Sequence, residues 1–431
     1  MMGAAGASYE RGLLGVIAAP FGDALVLFVV GFFFVRLFRR LRLLTFIDFF
    51  ENRYGKTAAT IAAIASISSN IGWTGALLVA FGYVFETLTG VPMEMGILGG
   101  AVVVFIYTVA GGMWAVALTD FVQIIVIAVG LVLLLVVVLI DVGGWGNIGP
   151  HLPEDTFRMI PVENTAEVWL NYIRAWLIFG LANVTAQTLL QRALSARNEQ
   201  VAQNSFYLAG FGHLSLAMIP VTLGIIASVT MPGLAEPETV IPQLAITHLH
   251  PVAIAIFVGA LLAAIMSSAD SALLAAASVF SNNILPLFKP QASDRLRLLV
   301  TRAAIPLFGI AAIYVALEVK VVYDLIIDAN SVMLVCVTIP LIVGVWWQRA
   351  NRSGALASMA IGLLTWFLAI LLVPDLPGDL FGLLAGLLTI LVVTPLTQKT
   401  DPPRRLLNSD GEEVELKDRL GTLPLFGRAR S

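Results

Sequence analysis

The sequence predicts an all-α polytopic membrane protein, and three observations carry the prediction. Hydrophobic residues fill 58% of the 431 positions and charged residues only 12%, about half the roughly 25% charged fraction of soluble domains. Mean hydropathy is +0.91. The apolar residues also collect into about eleven runs, each near the roughly 20 residues an α-helix needs to cross a hydrocarbon core about 30 Å thick. Such a composition leaves no basic groove for nucleic acid. Cys336 is the only cysteine, which excludes an intramolecular disulfide, a CxxC redox pair and a Cys-based zinc site. His151, His213, His248 and His250 stand in no HExxH or other ligand spacing. No nucleophile has a paired base, so neither an enzyme nor a bound cofactor is predicted.

In chain order the predicted spans are 17–38, 57–88, 95–110, 113–140, 168–194, 201–229, 252–285, 298–317, 322–347, 354–372 and 380–396. Gly111 and Gly112 allow a sharp turn between the third and fourth spans with almost no loop. The seventh is long enough for about 50 Å of helix, so it must tilt, bend or protrude. Polar loops are expected at 141–167 and 231–251. A charged tail at 398–431 is expected to be mobile and solvated, leaving 17–397 as a single transmembrane domain.

Charge placement orients the chain. All basic residues except Arg11, Arg158, Arg174 and Lys320 fall on one side: Arg36 to Lys56, Arg192 and Arg197, Lys289 to Arg302, Arg349 and Arg352, and the tail. The opposite loops carry Glu94, Asp155, Glu163, Glu236, Glu238, Asp375 and Asp379. By the positive-inside rule the tail is cytoplasmic, and an odd span count then puts the N-terminus outside. The opening, "MMGAAGASYERGLLG", lacks a basic n-region and a cleavage pattern and reads as the end of a helix and a loop.

Polar groups inside spans are costly and tend to mark ion or substrate paths. In the seventh span Ala264, Ser267, Ser268 and Ser271 share one helical face, offering hydroxyl and carbonyl oxygens to a small hard cation, or simply close helix packing. Asp120 and Gln123 lie one turn apart in the fourth span, as an ion path, a proton relay or a structural pair. Asp270 is a further intramembrane carboxylate. Asn183, Gln187 and Gln191 recur at helical spacing in the fifth span, where they line a cavity or bond neighbouring helices. Ser66, Ser69, Asn70 and Trp73 share a face of the second, with Trp73 able to stack on an organic solute or to pack. Asp324, Asp328, Asn330 and Ser331, early in the ninth span, are expected in a solvated vestibule.

"GGMWAVALTDFVQ" at 111–123, "LLQRALSARN" at 189–198 and "AAIMSSADSALLAAASVFSNNI" at 263–284 together resemble the sodium/solute symporter family. The segments "GAAGASYERGL" and "TFIDFFENRYG" follow the family's order too. The resemblance implies a LeuT-like core of five plus five helices in inverted repeat, with sodium at the midplane. It implies that the Ala264 carbonyl and the Ser267 and Ser268 hydroxyls are sodium ligands, and that Asp120 marks the ion's cytoplasmic path; Gln123 and Asp270 are further candidates for that path. Ser69, Trp73, Asn183 and Gln187 are the candidate solute contacts. The stretch 179–183 offers no Tyr where sugar-transporting members place an aromatic gate, which disfavours a sugar.

Aligned with the family, the first complete span corresponds to core helix two. The peripheral first helix and most of core helix one are then lacking, residues 1–16 are an extracellular remnant of core helix one and its loop, and only half a sodium site is present. An upstream in-frame helix is the expectation. The implied function is sodium-coupled uptake of a small organic solute (an amino acid, carboxylate, vitamin or choline-like compound) across the plasma membrane, expected to be a bacterial inner membrane. Two alternatives stand beside it: a transport-inactive or regulatory member, and proton-coupled transport through Asp120. Oligomeric state is open.

Overall fold

The computed structural model of the protein describes residues 1–414, 420 and 421, with the side chains at 107, 110–120, 323 and 324 excepted. Among the described residues the regular secondary structure is all helical, beside a lone antiparallel bridge between Leu407 and Glu413. The helices are α1 Met2–Arg11, α2 Asp23–Phe33, α3 Val35–Leu41, α4 Phe46–Tyr54, α5 Lys56–Thr89, α6 Met93–Asp141, α7 Trp145–Ile148, α8 Ala166–Gly180, α9 Gln187–Ser195, α10 Glu199–Thr230, α11 Val240–His248, α12 Pro251–Val279, α13 Leu285–Phe288, α14 Asp294–Val319, α15 Val322–Met333, α16 Ile339–Trp346, α17 Arg352–Leu372 and α18 Gly378–Thr397. Nine stretches of the described residues are long and apolar enough to cross a membrane, and α8 with α9 makes a tenth if that bent pair is one span.

Local chemistry sets the helix ends. Gly55 and Gly90 bound α5 with φ of 88° and 69°, a region that costs a side chain steric strain and glycine almost nothing. Thr45 and Asp48 form a capping box on α4, and the Asn198, Ser293 and Asn351 side chains accept the first free amides of α10, α14 and α17. Pro251 begins α12, where its missing N–H is harmless.

Against the predicted spans the structure differs in three places. Met2–Phe33 forms one apolar stretch, helical from Met2, whereas the first span was expected to start at 17. Met2, Ala5, Gly6 and Ser8 of α1 are buried, and the Ser8 hydroxyl donates to the Val221 carbonyl at 3.0 Å. The third and fourth spans belong to one helical element, α6; Gly111, Gly112 and Asp120 lie among the positions whose side chains are outside the described residues. The tail was expected to be solvated, yet Leu406 and Val414 are buried, Ser409 N donates to Leu41 O at 3.1 Å, and the Asn52 amide donates to Leu407 O at 3.1 Å. Apolar side chains at those two tail positions give it a reason to dock.

The basic residues close one end of the bundle. Arg36 and Arg40 clasp Glu199 at 3.1 and 2.7 Å, and Arg53 donates to the carbonyls of Trp347 and Gln348 at 3.1 and 2.9 Å. Cations there satisfy carbonyls that helix C-termini leave open. At the acidic loops Lys320 meets Glu94 at 2.7 Å, which raises the lysine ammonium above its ordinary range. Around the girth, α6, α14 and the α17–α18 pair turn Val129, Ile310, Leu371 and Leu388 outward, the surface a bilayer solvates. Within that pair Gly362 and Gly382 let the backbones touch: a Cβ on Gly362 would stand 2.9 Å from Val335 O and 3.2 Å from Gly382 O.

Candidate functional site

A broken helix organises the site. The Thr165 side chain caps α8, the helix ends at Leu181, a 3₁₀ turn covers Ala182–Thr185, and Ala186 is extended before α9 begins. The two halves are bent by 44°. The break corrects the expected stripe of Asn183, Gln187 and Gln191. Asn183 and Gln187 line a cavity and Gln191 does not; the break parts Asn183 from α9, which carries Gln187 and Gln191. The break was hard to foresee, since residues 181–186 contain neither Gly nor Pro. Backbone freed at such a break is tolerated at membrane depth only where it faces protein or a cavity.

That cavity holds about 230 Å³. Ser66, Ser69, Asn70 and Trp73 of α5 form one wall, Asn183, Thr185 and Gln187 another, and Asn330 and Met333 of α15 a third. Asp23 and His213 complete it. Two close approaches set the spacing: a Cβ on Gly72 would lie 2.8 Å from Ala329 Cβ, and one on Gly22 2.9 Å from Phe179 Cβ. Glycine at these positions lets α15 and α8 sit against the helices that carry Trp73 and Asp23. Gln187 is buried with its oxygen accepting Phe46 N at 3.0 Å, so it also anchors α4. The Asn70 amide is turned onto Ser66 O at 2.8 Å.

Asp23, His213 and Asn330 were not picked out from the sequence as solute contacts. Asn183 Nδ2 lies 3.5 Å from one Asp23 oxygen and His213 Nε2 lies 3.6 Å from the other. Asp23 and His213 each read as an isolated polar residue in an apolar span, which is the signal that could have flagged them, whereas Asn330 belongs to the polar group that was expected in a vestibule. The expected vestibule at the start of the ninth span is corrected for Asn330 and Ser331, which are 5% and 0% exposed; Asp328 is exposed, and the Asp324 side chain is outside the described residues. Ser331 donates to Asp379 at 2.7 Å, and Arg174 reaches the same oxygen at 2.7 Å. Asp379, expected in an outer loop, is therefore the fully buried anchor of this wall.

A larger cavity of about 590 Å³ adjoins the first and shares Asp23, Trp73, Thr188 and His213 with it. Ala264, Ser267, Ser268 and Ser271 line it from α12 and Gln123 from α6. The Ser268 hydroxyl donates to the Ala264 carbonyl at 3.1 Å, so two of the expected sodium ligands touch. The Gln123 amide oxygen is buried with no hydrogen-bond partner. Asp270 is fully buried and lines neither cavity. Among the described residues no group of three or more His, Cys, Asp or Glu could hold a metal ion. What α12 offers is neutral oxygen, suited to a hard cation.

The profile of the Sodium:solute symporter family matches residues 1–362. The chain belongs to this family. Among curated relatives, the high-affinity choline transporter 1 of Caenorhabditis elegans is 31% identical over 382 residues, covering 84% of this chain and 65% of the relative. That of Torpedo marmorata is 32% identical over 388 residues, covering 84% and 64%. The chain thus spans just under two thirds of the length of these relatives. The sodium/pantothenate symporter of Haemophilus influenzae is 28% identical over 415 residues, covering 90% and 83%. Among solved structures, a Na⁺-coupled sialic acid symporter in a substrate-bound outward-open state superposes with a TM-score of 0.74 at 19% identity, over 94% of this chain and 87% of that one. A nucleobase-cation-symport-1 family transporter in a closed conformation gives 0.59 at 15%, over 95% and 90%. The sodium:solute symporter chain therefore has the LeuT-like fold that its motifs implied, a fold in which discontinuous helices such as the α8–α9 element occur.

Proposed function

We propose that this protein couples the inward movement of sodium to the uptake of a small organic solute across a plasma membrane, with its tail in the cytoplasm. The observation that carries the reading is the pair of adjoining cavities of unlike chemistry that share four wall residues. In this reading sodium sits against the Ala264 carbonyl and the Ser267 and Ser268 hydroxyls, with Gln123 on its onward path. The solute occupies the smaller cavity against Ser69, Trp73, Asn183 and Gln187. A shared wall lets each ligand bias the conformation that the other binds, which is what coupling requires. Each inward sodium adds about 2.3 kcal/mol per 100 mV of membrane potential. The gathering of arginines at the end where the tail docks supports a cytoplasmic tail. The relatives transport choline and pantothenate by name, so these with L-proline are the first solutes to try.

The test is uptake into proteoliposomes under an imposed sodium gradient. Sodium-dependent accumulation that the Ser267→Ala, Ser268→Ala double variant loses supports the reading. Accumulation indifferent to sodium, or none with any solute at any gradient, overturns it.

A further inference from the structure

Sodium-coupled transport does not explain why a carboxylate stands in the smaller cavity. Asp23 meets Asn183 at 3.5 Å, the outer limit of hydrogen bonding, and His213 at 3.6 Å, beyond it. A carboxylate accepts up to about four bonds, so these contacts leave capacity for a ligand. Among the described residues no Lys or Arg lines this space, although Asp23 also lines the larger cavity together with Arg192 and Met1. An acid within a membrane-spanning bundle is costly unless a positive group arrives to meet it. Asn330 supplies a second pole: its side-chain nitrogen is buried, 5% exposed as a residue, and has no hydrogen-bond partner. Val26, Leu27 and Met333 line the same cavity, and among the described residues Trp73 is its one Trp, Tyr or Phe ring.

A bare metal cation prefers six or more oxygens; Ser66, Ser69, Thr185, Thr188 and Asp23 line this space beside Val26, Leu27 and Met333, so the sodium measurement below is what separates an ion from an amine. A quaternary ammonium, having no N–H to donate, is held by several aromatic faces, and here there is one. Resting on the transport reading above, we infer that the solute carries a protonated amine with N–H groups, bound by Asp23, and a hydrogen-bond acceptor met by the Asn330 amide. Anionic solutes without an amine are refused by the same carboxylate.

Binding of four probes to the purified full chain in sodium buffer tests this: ethanolamine, L-proline, choline and pantothenate. Ethanolamine or L-proline is expected to bind at least tenfold more tightly than the other two. Asp23→Asn is expected to weaken the bound amine at least tenfold, and Asn330→Ala to weaken L-proline more than pyrrolidine, which lacks the carboxylate. The inference is overturned if choline or pantothenate binds as tightly as the amines, if no amine binds, or if Asp23→Asn changes amine affinity less than twofold. The ranking of probes on the unaltered chain stands even if a variant fails to fold. Radiolabelled sodium binding is measured in parallel. Its loss in Asp23→Asn makes Asp23 an ion ligand and sinks the inference. Its absence from the unaltered chain refutes sodium coupling alone and leaves the amine result to be judged separately.

Discussion

The two cavities share a wall and differ in how their polar groups are supplied. The smaller is built at a helix break, where a 3₁₀ turn and an extended residue aim Asn183, Thr185 and Gln187 in directions that a regular helix cannot combine. The larger is lined by the regular helix α12, whose small residues repeat every three or four positions. A break creates a site of mixed chemistry fit to discriminate an organic solute. A regular face of small residues presents neutral oxygens at fixed spacing, which suits an ion.

This contrast can be broken from either side. The largest effect is expected at Asp379, which has no contact with solvent and ties Arg174 and Ser331 together. Asp379→Ala leaves Arg174 half-buried and unpaired, a change worth about 3–5 kcal/mol. Thermal unfolding should register it, and solute affinity should fall while sodium binding to the remaining folded fraction holds. A loss of sodium affinity as large as the loss of solute affinity would mean the two sites are not separable.

Next comes the ion side. Hydrogen-bond-like contacts to a charge are worth about 1.5–3 kcal/mol each, so Ser267→Ala with Ser268→Ala should reduce sodium-driven uptake at least about a hundredfold. Sodium-free solute binding should change little, measured by equilibrium dialysis. Then Gly72→Ala places a methyl against Ala329, 2.8 Å away. Overpacking of this kind costs about 1–3 kcal/mol, and because α15 carries Asn330, solute affinity should drop before sodium affinity does. The smallest effect is expected at Asp410, whose 3.0 Å pair with Arg42 is more than half exposed. Asp410→Ala should stay within the roughly 0–1 kcal/mol of exposed pairs and move neither affinity, which makes it the control for the other three.

Long apolar runs and helical spacing made part of this legible. The α5 face of Ser66, Ser69, Asn70 and Trp73 and the α12 face of Ala264, Ser267, Ser268 and Ser271 line cavities together, as period alone requires of residues three, four and seven apart. The pairing of Asp23 with His213 was not legible, because the two are far apart in the chain and each looks like an isolated polar residue. Asn330, Ser331 and Asp379 misled for the opposite reason: polar residues near span ends read as solvated, and only the arrival of Arg174 makes burial of Asp379 affordable.

Hydropathy, charge asymmetry and short motifs were thus sufficient for the membrane class, the family and the faces of continuous helices, since these depend on neighbours within two turns. Where α8 breaks, which distant acid meets which histidine, and whether the tail docks depend on contacts between segments up to hundreds of residues apart. Those contacts exist only once the bundle has closed, and the chemistry of the smaller cavity is set by them.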